Sequence, residues 1–83
     1  MSVENEFLVY GMEEYKAAHA LTGAAVSSLF ERTGASDYIR RHYDALHTTG
    51  GAYLVGDIDA YLRTRGFYKV GVSITSTLLQ NQQ

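Results

Sequence analysis

Asp44 and His47 stand three residues apart in the segment DYIRRHYDALH, residues 37–47, the closest grouping in the chain of side chains able to do proton chemistry. On a helix that spacing puts both on one side, where the carboxylate can fix the imidazole tautomer for acid–base work. Catalysis also needs a third group and a pocket. Tyr43 and Thr48 adjoin the pair in sequence, but neighbouring residues on a helix diverge, and no nucleophile stands close by. The structural reading is preferred: His47 sits in a last helical turn, engaging the dipole and free carbonyls, and Asp44 orders it. No catalytic residue is assigned, and the chain is read as non-enzymatic.

Other groupings carry less. His19, His42 and His47 with Asp44, Asp57 and Asp59 show no HxH or HxxxH spacing, so no metal site is assigned. Asp57 and Asp59 flank Ile58 and read as an N-cap and a first-turn carboxylate of a helix. Gly50 and Gly51 lack the Lys-Ser/Thr of a phosphate loop, and no GxGxxG occurs, so no cofactor is expected.

The elements that must position these residues follow from periodicity. Ser2 begins a first helix over about 3–20, with Phe7, Leu8, Gly11, Met12, Tyr15, Ala18 and His19 recurring at three- and four-residue steps. Gly11 in its middle weakens it by roughly 1 kcal/mol relative to alanine, which close approach of another helix would explain. Thr22 opens a second helix, with Ala25, Val26, Leu29 and Phe30 facing inward and Gly34 as the stop. Ser36 then caps the central helix, whose stripe is Ile39, Tyr43 and Leu46. Everything else is read as packing around that helix. Residues 52–55 read as extended or as a lead-in, and a fourth helix begins at Gly56 or Asp57 and stops at Gly66.

Beyond Gly66 the pattern changes. Tyr68, Val70, Val72 and Ile74 alternate with Lys69, Gly71, Ser73 and Thr75, a strand period without a ladder to join. The tail, 67–83, is therefore either disordered or paired with another strand, and the chain divides into a helical domain, 1–66, and this tail. The fold class is all-α, a small four-helix domain with an extended C-terminal tail.

Eighty-three residues make one small domain, and the absence of cysteine leaves a thin core as its support. Seven tyrosines suit such a core and also suit interfaces, since each buries a ring while keeping a polar tip. A net charge of −2 gives no electrostatic case for nucleic acid or an anionic membrane. No run approaches a membrane span, and the acidic, polar start is unlike a secretory signal, so a cytoplasmic protein is expected. The corner between the second and third helices, with Arg32, Arg40 and Arg41, is the alternative worth a test as a helix-turn-helix-like DNA contact. The stretch from Val26 to Gly34 is too long for that motif's compact first helix and turn.

A set of short segments carries a family likeness: Phe7-Leu8-Val9, Glu13-Glu14-Tyr15, Leu21-Thr22-Gly23, Leu29-Phe30-Glu31-x-Thr33-Gly34 and Asp37-Tyr38-Ile39. Tyr43-Asp44-x-Leu46-His47-Thr48 and Tyr53-Leu54-Val55-x-Asp57-Ile58-Asp59 complete it. In this order, over about 6–65, the chain resembles a bacterial family of short helical domains of unknown function, often encoded beside ADP-ribosyltransferase-like proteins. Tyr43, Asp44, Leu46, His47, Thr48 and Asp57 form part of its motif. The resemblance brings no activity and no list of functional residues. It implies a small partner of a larger effector, antitoxin- or immunity-like. Gly56 departs from the helix-forming residue expected there, and the tail beyond Gly66 runs past the usual end.

The resulting expectation is a protein–protein interaction module, with an ADP-ribosyltransferase-like partner encoded nearby and self-association as a further option. The expected contact residues are Tyr10, Tyr38, Tyr53, Tyr61 and Tyr68, of the type enriched at interfaces, with the exposed Arg40, Arg41 and His42.

Overall fold

The structure, a computed structural model, describes residues 2–66. Those residues form five helices: α1 Val3–His19, α2 Gly23–Thr33, α3 Ala35–Arg41, α4 Tyr43–Leu46 and α5 Gly51–Thr64. The all-α expectation holds across this region. The alternating tail pattern lies outside the described residues.

Local chemistry sets most of the boundaries. The Ser2 hydroxyl accepts from the Asn5 amide at 3.1 Å, and Glu4 and Glu6 complement the positive end of α1. Ala20, in the left-handed region at φ 54°, ends that helix. Thr22 caps α2 in the same way, its hydroxyl accepting from the Ala25 amide at 3.0 Å. Gly34 then turns the chain at φ +80° directly into α3, so the corner is a single residue wide. A side chain at Gly34 would be doubly disfavoured, because a Cβ there would also lie 3.1 Å from the Tyr61 hydroxyl.

Each long helix contributes one apolar stripe. Leu8, Gly11 and Tyr15 of α1 face Val26 and Phe30 of α2, Ile39 of α3, and Leu54, Ile58 and Leu62 of α5. Tyr15, Phe30, Ile39, Leu54, Ile58 and Leu62 are fully buried. Helix α1 packs against α2, α3 and α5. Helix α3, which lies in the segment that periodicity made central, packs against α1, α2, α4 and α5, so the two helices share the centre of the fold.

Three further differences have physical causes. The segment 37–47 is two helices, because His42, at φ −104° and ψ 23°, closes α3 before α4 starts. Ser36 is a buried residue of the first turn of α3 and does not cap it; Gly34 stands at the cap. Helix α5 begins at Gly51, with Gly50 as N-cap, so residues 52–55 are its first turns and Asp57 is interior rather than a cap. Leu54, Ile58 and Leu62 keep one unbroken four-residue period into the core, and that burial outweighs the roughly 1 kcal/mol that Gly56 costs an interior helical position.

Candidate functional site

The Asp44–His47 pair is not assembled. Among the described residues no hydrogen bond or ion pair joins the two. Instead His47 stacks on Tyr43 with ring centroids 4.3 Å apart, and its Nδ1 lies 2.8 Å from the Tyr43 carbonyl oxygen. A carbonyl only accepts, so Nδ1 carries the proton and donates. His42 repeats the arrangement one helix earlier. It stacks on Tyr38 at 4.5 Å, and its Nδ1 lies 2.9 Å from the Tyr38 carbonyl. Each histidine stands at the C-cap of its helix, and its ring adds a second hydrogen bond to a carbonyl that already accepts the histidine's own backbone amide. His19 makes the third Tyr-x-x-x-His pair, stacked on Tyr15 at 4.3 Å. This spacing recurs at 15/19, 38/42 and 43/47, and was legible in the sequence.

The carboxylates of α5 hold the densest polar geometry. Asp59 Oδ1 accepts from the hydroxyl of the fully buried Tyr15 at 2.7 Å, while Asp59 Oδ2 lies 3.1 Å from His19 Nε2. Asp57 Oδ2 accepts from the Tyr38 hydroxyl at 2.6 Å. Tyr61, four residues beyond Asp57, donates to the Thr33 carbonyl at 2.8 Å and stacks on Tyr38 at 4.4 Å, with the Arg65 guanidinium 4.9 Å above its own ring. Asp59 thus ties α5 to α1, Asp57 ties it to α3, and Tyr61 ties it to the α2–α3 corner. Each bond fastens the polar tip of a ring whose body serves the core, which is how a thin core uses tyrosine without leaving a hydroxyl unpaired. The two aspartates that sequence assigned to a helix start are in fact latches between helices.

Tyr38 carries a measurable signature of its latch. Burial first, then the hydrogen bond to Asp57 and the negative charge of that carboxylate, push its hydroxyl up to about 12. An unfolded tyrosine titrates near 10. The folded value is the higher, so the contribution is fully present below about pH 10 and is lost as pH rises towards 12. Between about pH 9 and 11.5 the wild-type denaturation midpoint is expected to fall more steeply than that of Tyr38→Phe, which has no proton to lose there. Equal slopes for the two proteins would dismiss the Tyr38–Asp57 latch.

The remaining expected contact residues divide. Tyr10 and Tyr53 are exposed, at 41% and 62% of their surfaces. Arg41 is exposed at the end of α3 beside the exposed His42, whereas Arg40 is half-buried and donates to Asp37 at 2.6 Å and to Asn5 at 3.5 Å. Tyr38 and Tyr61 are half-buried and engaged internally as described. Tyr68 lies outside the described residues. Of the motif residues, Leu46 is buried, Tyr43 meets Phe7 edge-on at 5.5 Å, and Asp44 and Thr48 are exposed. Among the described residues no group of three or more His, Asp or Glu side chains is placed to hold a metal ion.

Tyr10 and Tyr53 belong to one face. Between α1 and α5 runs an open groove of about 420 Å³ lined by Glu14, Ala17, Ala18, Ala52 and Val55. It adjoins a second hollow of about 430 Å³ on α5, lined by Ala52, Tyr53, Gly56, Asp57 and Ala60. Tyr10 borders this face at the start of α5, where a Cβ on Gly51 would come within 3.1 Å of its hydroxyl. Helical periodicity concealed the face, because Ala17, Ala18, Ala52 and Ala60 are small enough to belong to either the core or the surface.

A family model described as "Protein of unknown function (DUF3791)" matches residues 6–65. No curated protein and no solved structure matches the chain. Among the described residues no helix is long and apolar enough to cross a membrane.

Proposed function

The chain belongs to the family of proteins of unknown function DUF3791, and from that premise we propose that it is a non-catalytic protein–protein interaction module, an antitoxin- or immunity-like partner of an ADP-ribosyltransferase-like effector. The observation that carries the reading is the α1–α5 face, where the exposed Tyr53 lines an open, small-residue hollow and the exposed Tyr10 lies by Gly51 at the start of α5. Large aromatic side chains next to shallow apolar depressions are what interface anchors and their receiving pockets consist of. The polar groups that might have served chemistry support it from the other side. Asp57 and Asp59, Tyr15, Tyr38, Tyr61 and His19 are occupied in holding helices together, and His42 and His47 are each bonded to a carbonyl of their own helix. The ADP-ribosyltransferase-like character of the effector is what the family resemblance implies.

Co-expression with the adjacent gene product is the test. A complex is expected to co-purify at fixed stoichiometry, and Tyr53→Ala is expected to weaken it about 30-fold, the effect of an interface anchor. Two soluble proteins that elute independently would sink the reading. A complex indifferent to both Tyr10→Ala and Tyr53→Ala would remove the α1–α5 face from it.

A further inference from the structure

The latch to Tyr38 occupies one oxygen of Asp57. Its Oδ2 accepts the Tyr38 hydroxyl at 2.6 Å, while its Oδ1 accepts no hydrogen bond among the described residues. No basic side chain of that region pairs with it either: the ion pairs there join Lys16 to Glu13, His19 to Asp59 and Arg40 to Asp37. Asp57 is half-buried and lines the hollow on α5. The rest of that hollow is apolar or aromatic. Ala52, Gly56 and Ala60 recur every four residues along it, and a Cβ on Gly56 would meet nothing within 4 Å. Tyr53, exposed and four residues before Asp57, is its neighbour on the same helix face. Glu14, in the adjoining groove, lies against Gly51 in the first turn of α5, where the positive end of the helix receives it. Asp57 is therefore the one carboxylate that the hollow itself offers to a ligand.

We propose that this hollow receives an arginine side chain of the protein partner, its methylene stem over Gly56 and Ala60 and its guanidinium between the Tyr53 ring and Asp57 Oδ1. Charge complementarity carries the choice, and an arginine matches each part of the hollow. Its stem is apolar and lies along small apolar residues. Its planar head stacks on an aromatic face and donates charge-assisted hydrogen bonds to a carboxylate. The fold makes the first of these contacts once already, with the Arg65 guanidinium 4.9 Å above the Tyr61 ring on the same helix. A partner residue bearing a carboxylate or phosphate would be repelled by Asp57, and a purely apolar one would cover Oδ1 without giving it a donor. The proposal rests on the interaction-module reading above and adds the chemistry of the residue that the partner brings.

Asp57→Asn is the informative variant, because its amide oxygen still accepts the Tyr38 hydroxyl while the charge is gone. The full chain is titrated with n-butylguanidinium, which carries the head and stem of the proposed residue, and followed by amide NMR. In the wild type the signals of Tyr53, Gly56 and Asp57 are expected to move saturably, and those of the exposed Glu31 and Asp44 to stay in place. Asp57→Asn is expected to weaken this binding about tenfold. Equal movement at Glu31 and Asp44 would be general attraction to carboxylates and overturns the proposal, as does a hollow that does not respond. In the complex with the adjacent gene product, Asp57→Asn is expected to raise Kd about tenfold and Asp44→Asn to leave it unchanged. A complex indifferent to Asp57→Asn overturns the arginine contact and leaves the interaction-module reading standing. Absence of any complex overturns that reading, and the butylguanidinium titration then decides the hollow alone. Signals of the hollow that shift with protein concentration in the wild type but not in Asp57→Asn would assign the arginine to a second copy and overturn the partner.

Discussion

Phe30→Ala is expected to leave the chain without a stable fold at room temperature. Phe30 is fully buried on α2, meets the Tyr15 ring edge-on at 5.4 Å, and lies in the core that α1, α3 and α5 share. Truncating a buried phenylalanine costs about 3–5 kcal/mol, through lost transfer energy and the cavity left behind. A single core of this size supplies about the same amount in total. Tyr15 would also lose the surface that orients it, and with it the geometry of the hydroxyl that Asp59 accepts. Phe30→Leu keeps most of the volume and is expected to lose about 1.5 kcal/mol or less, remaining folded. Thermal unfolding followed by far-ultraviolet dichroism distinguishes the outcomes. A cooperative transition for Phe30→Ala within a few degrees of wild type would mean that α2 is not part of the cooperative unit.

The parts of this architecture that were legible in the sequence are those set by neighbours along the chain. The Ser2 and Thr22 caps, the Gly34 stop and the stripes of α1 and α2 are all local, and local rules describe them. The errors cluster where tertiary burial outweighs local preference. Asp57 looks like a cap because it follows glycine and precedes an apolar stripe, yet Leu54 already belongs to that stripe and starts the helix about two turns earlier, at Gly51. Its role, and that of Asp59, depends on tyrosines 19 and 44 residues away, which no spacing rule connects. Residues 37–47 fail as one helix for a different reason. A single apolar stripe fits two short helices as well as one long one, and the break at His42 is fixed by its ring folding back on Tyr38 and its Nδ1 meeting the Tyr38 carbonyl. The recurring Tyr-x-x-x-His spacing was the visible trace of that device.

The candidate face shows the same division. Tyr10 and Tyr53 were readable as contact residues by type alone, and they are exposed. Tyr38 and Tyr61 share that type, but each is held by a hydrogen bond and by the other's ring, which makes them fastenings between α3 and α5. Residue type marks a tyrosine as fit for an interface; whether that interface is internal is decided by the acceptors within reach of its hydroxyl. Asp59 and Asp57 of α5 take the hydroxyls of Tyr15 and Tyr38, and the Thr33 carbonyl of α2 takes that of Tyr61, so these three tyrosines are turned to the interior.

Gly11 gives the second large effect, because its variants should differ in sign. It is buried midway along α1, where the helix crosses α3 and α5. A Cβ at this position would lie 3.4 Å from Leu54 Cδ2 and 3.7 Å from Ile39 Cδ1, ordinary contact distances. Gly11→Ala therefore fits and removes the conformational cost of glycine, and is expected to raise stability by up to about 1 kcal/mol. Gly11→Leu adds three more carbons that must pass between Leu54 and Ile39, both fully buried and without room to yield. Overpacking of this kind costs about 1–3 kcal/mol and pushes α1 away from α5. That movement would also stretch the Tyr15–Asp59 and His19–Asp59 bonds, which join the same two helices. Denaturant midpoints of the three proteins should fall in the order alanine, glycine, leucine. Leucine at or above glycine would show that the crossing is looser than 3.4 Å implies, and alanine below glycine would show that it is tighter.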